Sequence, residues 1–328
     1  MAADIHEQLT KYITDAHSIE VQALAQLEKA PDVAEYPPFE QALREHLSET
    51  ERHERLTRQL LDERDASPSQ LKDMIMGLGG KSFLAFARAQ PDTPGKLLAH
   101  ALSYEALETA AYELLARTAD RAGEANVSGI AREIGTDERA MMTRLEGCYD
   151  GVVEVSLRGV APDELKDQLR KYLADAHAIE EQAITMLEKR PTASSNRTDS
   201  GLEQVYEEHL VETREHAELV KERLDALGGD NSSVKDTAMR LGAMNWGAFF
   251  GAHPDTPGKL AAFTFAFEHL EIGGYEQLKR VARRANDEET ATIADRILVQ
   301  ERTAARRIEG MFDEAVAAAL DAVGVMPR

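Results

Sequence analysis

The sequence predicts an all-α protein made of two tandem four-helix bundles, each with a long crossover between its second and third helices. Three observations predict it. Runs from the first half return in the second: "QLTKYITDAHSIEVQALAQLEKAP" (Gln8 to Pro31) becomes "QLRKYLADAHAIEEQAITMLEKRP" (Gln168 to Pro191), "EHLSETERH" becomes "EHLVETREH", and "PDTPGKL" recurs unchanged. Ala, Leu, Glu, Gln and Arg dominate, while alternating β-branched runs are almost absent, so the local preference is helical throughout. Apolar residues recur at three- and four-residue steps in four long segments per copy, with some thirty residues between the second and third segments.

In the first copy, helix one runs from about Ile5 to Lys29 and stops before Pro31. Helix two covers about Phe39 to Arg64. The crossover "SPSQLKDMIMGLGGKSFLAFARAQ" is Gly-rich and has room for a short helix. Helix three opens at "DTPGKLL", where Thr93 can cap and Pro94 suits the first helical position. Helix four spans about Ser128 to Leu157. The repeat offset grows from 160 to 163 between "PDVAEYPPF" and "PTASSNRTDSGLEQ", so a loop absorbs the difference. Gly159 and Pro162 in "SLRGVAPDEL" punctuate the junction, which sets the domains at 1–158 and 159–328.

A formal net charge of −21 argues against partners such as nucleic acid or an anionic membrane surface. The single cysteine, Cys148, excludes an intramolecular disulfide and any CxxC pair. The longest apolar run, "LAAFTFAF" (Leu260 to Phe267), is too short to cross a bilayer, and the first residues read as a helix start without a signal-peptide pattern. The expected setting is cytoplasmic.

Acid interrupts the apolar stripe at mid-length on every helix. Helix one carries Glu20 between Ile13 and Leu24, with His17 one turn earlier; helix two carries His46, Glu49 and His53. Helix three carries Glu105 and Glu108 with Tyr112 a turn further on, and helix four carries Glu138. The second copy repeats the set as His177, Glu180, His209, Glu212, His216, Glu268, Glu271, Tyr275 and Glu301. Six of the ten histidines therefore form repeated pairs, whereas His6, His100, His253 and His269 have no counterpart and read as ordinary surface residues. A lone glutamate on such a stripe is usually solvated at a groove edge. A cluster inside a core is different, because buried like charges raise one another's pKa and need protons or cations as compensation. No Lys or Arg shares the inner stripes of the first copy, and carboxylate oxygens with imidazole nitrogens suit iron or manganese, zinc less specifically. The "LGG" and "LGGD" turns lack the context of a phosphate loop, and Cys148 corresponds to Met311, as a packing residue would.

"DAHxIE" on helix one, "EHLxET" on helix two and Glu-x-x-Glu before Tyr on helix three resemble the ferritin-like superfamily, most closely the YciE/YciF-type domains of bacterial stress-associated proteins. The resemblance covers nearly the whole chain, once per copy. It implies a di-iron carboxylate centre, with oxygen or peroxide as reactant and an external electron donor, since no rubredoxin-like cysteine cluster is present. On that reading Glu49 and Glu138 bridge the metals, Glu20 and Glu105 are terminal, His17, His46 and His53 complete the set, and Glu108 is an additional third-helix carboxylate. The repeats of these residues take the same roles in the second copy. The family's usual Glu-x-x-His pairs are missing: Arg52 and Met141 stand at the expected histidines, with Glu215 and Ala304 in the second copy. Three functions stay open: an oxidase or peroxidase of this type, a non-enzymatic helical interaction module with weak or no metal binding, and iron storage in a cage, which tandem fusion disfavours by restricting the assembly geometry. The fused copies are expected to pack as a pseudo-dimer.

Overall fold

The computed structural model describes residues 4–66, 93–190, 201–229, 253 and 255–325. Among them are ten α-helices and no strand. The first half holds α1 (Ile5–Leu27), α2 (Pro37–Asp62), α3 (Thr93–Ala122), α4 (Ala125–Glu146) and α5 (Tyr149–Ser156), with a 3₁₀ turn at Ala30–Val33. The second half repeats the order as α6 (Leu165–Glu188), α7 (Gly201–Ala226), α8 (Thr256–Arg284), α9 (Glu288–Gly310) and α10 (Phe312–Ala322). The crossover "SPSQLKDMIMGLGGKSFLAFARAQ", its proposed short helix and the three-residue insertion lie outside the described residues.

The sequence places its helix starts where the chain can cap them. Asp4 accepts from the His6 N–H at the head of α1, Pro37 opens α2, and Asp287 accepts from the Thr290 N–H ahead of α9. Helix four departs from the expectation of one continuous helix to Leu157. It ends at Glu146 and restarts at Tyr149, and α9 gives way to α10 at the equivalent place. Gly147 and Gly310 occupy matching positions there, where a weak helix former lets the chain bend.

In each half, helix one packs on helices two and three, and helix four packs on helices three and two, closing a bundle around a buried axis. His17 meets Thr57 and Glu20 lies by His53, so α1 and α2 run antiparallel. The two bundles join along α3 and α8, and one apolar core runs through both, including Leu98, Leu102, Phe265, Ile272 and Phe312. Approach is close at the crossing: a Cβ added to Gly273 would stand 3.0 Å from the Ala99 Cα. Asp15, which the inner-stripe pattern puts on the outside of its own bundle, is covered by the other bundle and accepts from Lys259 Nζ at 2.6 Å. Lys96 makes the matching contact with Asp175 at 2.5 Å, and Arg117 and Arg280 lie over the rings of Phe312 and Tyr149 at 5.9 and 5.2 Å. The interface thus repeats its contacts about an approximate two-fold axis.

Candidate metal centre

Six side chains converge inside the first bundle: Glu20 from α1, His46 and His53 from α2, Glu105 and Glu108 from α3, and Glu138 from α4. Helical geometry selects them. Residues seven apart on α2 differ by only about 20° around the axis, so His46 and His53 look the same way from successive levels. His46 Nε2 lies 2.9 Å from Glu105 Oε2 and 3.3 Å from Glu138 Oε2. His53 Nδ1 lies 2.8 Å from Glu138 Oε1 and 3.8 Å from Glu20 Oε1. Two groups result, His46–Glu105–Glu108–Glu138 and Glu20–His53–Glu138, each with one possible ligand atom per residue inside a 4.8 Å span, and Glu138 belongs to both. The second bundle forms the same two groups from His209, Glu268, Glu271 and Glu301, and from Glu180, His216 and Glu301. There His209 Nε2 is 2.6 Å from Glu268 Oε1 and His216 Nδ1 is 2.7 Å from Glu301 Oε1.

All twelve side chains are buried. Both oxygens of Glu108, Glu138, Glu271 and Glu301 lack a hydrogen-bond partner of acceptable geometry, as do His46 Nε2, His53 Nδ1 and His216 Nδ1. Burial first, and the neighbouring carboxylates next, push Glu20 up to about 8 and Glu108 well above the usual range. Burial also raises Glu138 to about 7, against the pull of His53. Glu180 and Glu268 rise to about 8 for the same leading reason. Burial alone would lower His46 and His53, but Glu105 beside the one and Glu138 beside the other hold them above the ordinary imidazole value. Without a cation, burial favours protons on Glu20, Glu108, Glu180, Glu268 and Glu271, whereas His216 holds Glu301 low against the effect of burial. Its donor set of carboxylate oxygens and one imidazole nitrogen per group fits a hard or borderline cation such as iron or manganese.

Four expected ligands lie elsewhere. Glu49 is half-buried behind His46, 2.9 Å from its outer nitrogen Nδ1, and is held by a two-point contact from Arg144 on α4. It stands three residues after His46, hence about 60° off that direction around α2, and cannot share the inward position. Glu212 is likewise half-buried, 3.9 Å from His209 Nδ1. The bridging place assigned to Glu49 is open to Glu108, whose carboxylate does reach the cluster. His17 is buried but turned from Glu20 toward α2, where Nδ1 meets Thr57 Oγ1 at 3.2 Å and Nε2 is 3.9 Å from Glu54. Ile13, Glu20 and Leu27 follow the inward line at seven-residue steps, which leaves His17 about 60° to its side. His177 is displaced in the same way, with Glu181 4.0 Å from its Nε2. Nor are all the unrepeated histidines on the surface: His269 is buried, with Nδ1 2.8 Å from the Phe265 carbonyl, and His100 is half-buried against Gln26.

Other contributors are Tyr112, which donates to Glu20, and Tyr275, which donates to Glu180 at 2.5 Å. Asp137 and Gln300 were not legible as site residues. Asp137 Oδ2 is 3.2 Å from His53 Nε2, and Gln300 Oε1 is 3.2 Å from His216 Nε2. Each immediately precedes the inward glutamate of its helix, but the two differ in type and so fell out of the repeat.

Antiparallel helices around a buried carboxylate and imidazole cluster define the class: a tandem helical-bundle protein with a candidate two-metal centre in each half. The chain belongs to the family described as Domain of unknown function (DUF892), which matches residues 4–157 and again 164–321. That family lies in the ferritin-like superfamily. No solved structure matches the chain. Among the described residues, no helix is long and apolar enough to cross a membrane.

Proposed function

We propose that each bundle binds a pair of metal ions, iron above all, with manganese or zinc as the alternatives its ligands admit, and that the iron form acts on oxygen or peroxide under stress. The observation that carries this reading is the pair of buried carboxylates Glu108 and Glu271, whose oxygens have no hydrogen-bond partner, beside Glu138 and Glu301, which have only a histidine nitrogen at 2.8 and 2.7 Å. Carboxylates left so in a core cost several kcal/mol each unless protons or cations compensate them. Glu138 and Glu301, present in both groups of their bundles, would bridge. Glu105 with His46, and Glu20 with His53, would hold the outer faces, and Glu108 would close the space between them.

A pair of iron ions so held supplies oxidation–reduction chemistry toward dioxygen or peroxide. The chain positions it: Tyr112 orients Glu20, Glu49 and Asp137 orient the two imidazoles, and the apolar core excludes bulk water. With Cys148 the sole cysteine, electrons come from an external donor. Anaerobic loading with ferrous iron followed by peroxide tests the proposal. Peroxide consumption above that of free iron, lost in Glu138→Ala/Glu301→Ala, is the expected result. Binding without consumption would assign the chain to non-enzymatic metal binding, and no binding at all would overturn the reading.

A further inference from the structure

The inner residues are identical in the two bundles, whereas the group behind one of the two histidines is not. In the first bundle, the outer nitrogen of His53 faces a carboxylate, Asp137, at 3.2 Å, and Asp137 is itself fixed by Arg52. In the second, the outer nitrogen of His216 faces the neutral amide oxygen of Gln300 at the same 3.2 Å. Behind the other histidine the residues are the same and only the spacing differs. His46 Nδ1 has Glu49 at 2.9 Å, held by Arg144 at 3.0 Å, while His209 Nδ1 has Glu212 at 3.9 Å, with Arg307 a loose 4.0 Å away. The neutral amide at Gln300 and the wider spacing at Glu212 both weaken the outer support in the second bundle.

A carboxylate on the outer N–H of a metal-bound imidazole fixes the ring's tautomer and tilt. It also makes the inner nitrogen a stronger donor, and losing such a partner typically lowers metal affinity by about 10–100-fold. An amide oxygen accepts the same hydrogen bond without the negative charge. We infer that the two centres are non-equivalent: the first bundle retains metal more tightly than the second, and Asp137 is the positioning residue that sets the difference at the His53 position. This inference rests on the metal-binding reading above.

The test is an anaerobic titration of the full metal-free chain with cobalt(II), followed by its visible ligand-field bands. The unaltered chain should fill in two phases about 10–100-fold apart in affinity. Asp137→Asn should merge the phases by weakening the tighter one, with its band shifted, and Gln300→Glu should tighten the weaker one. A gain in the second variant cannot arise from damage to the fold, and circular dichroism checks both. One phase with identical sites in the unaltered chain, or two phases that neither variant moves, overturns the inference while leaving metal binding intact. No cobalt uptake at all overturns both.

Discussion

Two regions of this molecule bury charge, and they treat it in opposite ways. At the junction between the bundles, the chain provides its own counter-charges: Lys259 reaches Asp15 at 2.6 Å and Asp255 at 3.6 Å, and Lys96 reaches Asp175. Burial would lower the Lys259 ammonium's pKa, but the two aspartates outweigh it and keep the lysine charged. At the bundle centres, four carboxylates and two imidazoles converge with no Lys or Arg among them, and acid groups rise out of their normal range instead. The same sequence that pairs its charges with lysines at the interface sets four carboxylates against only two imidazoles at each centre. On the proposed reading, a bound cation supplies the remaining positive charge.

The largest expected effect follows from removing that external charge. In the metal-free chain Glu20 and Glu180 titrate near 8 instead of near 4.5, so between these values the folded state binds more protons than the unfolded one. Stability of the metal-free protein should therefore be highest below about pH 4.5 as far as these groups are concerned, and should fall as pH rises to 8. Metal affinity should move the other way, because carboxyl protons leave as the ion enters. Urea unfolding at pH 5 and 8, with and without chelator, reads both; a metal-free form more stable at pH 8 than at pH 5 would remove the contrast.

Next comes the interface. Lys259→Met leaves Asp15 and Asp255 facing each other without their cation and should cost about 3–5 kcal/mol in urea unfolding. Adding Asp15→Asn should recover part of that loss. A null effect would mean that the interface charges are solvated. Smaller again, Glu49→Gln should keep the metal stoichiometry and weaken affinity by about tenfold, whereas Glu108→Gln should reduce metal content. Smallest of all, His17→Gln should leave metal content unchanged, since its ring contacts Thr57 and Glu54 and not the cluster.

What was legible in the sequence, and what was not, has a geometric cause. The two-copy helical plan and the central glutamates show because an apolar stripe interrupted by acid at mid-helix can be read at 3.6-residue period. That stripe is more than about 100° wide, so residues at its centre and its edge look alike. His46 and Glu49, or Glu20 and His17, differ by about 60° of rotation, and only packed neighbours show which one faces the cluster. Arg144 turns Glu49 outward, and Thr57 draws His17 aside. Asp15 could not be placed from its own bundle because its partner belongs to the other. The bend at Gly147 had a visible sign, the matching Gly310, yet the apolar period continues across it.

The most direct test of the central claim is elemental analysis of the purified chain after metal loading, beside Glu138→Ala and Glu301→Ala. The four groups predict four ions per chain, falling to about half in either variant and to near zero in the double variant, because each glutamate serves both groups of its own bundle. Sub-stoichiometric metal in the unaltered chain, unchanged by either substitution, would contradict the account.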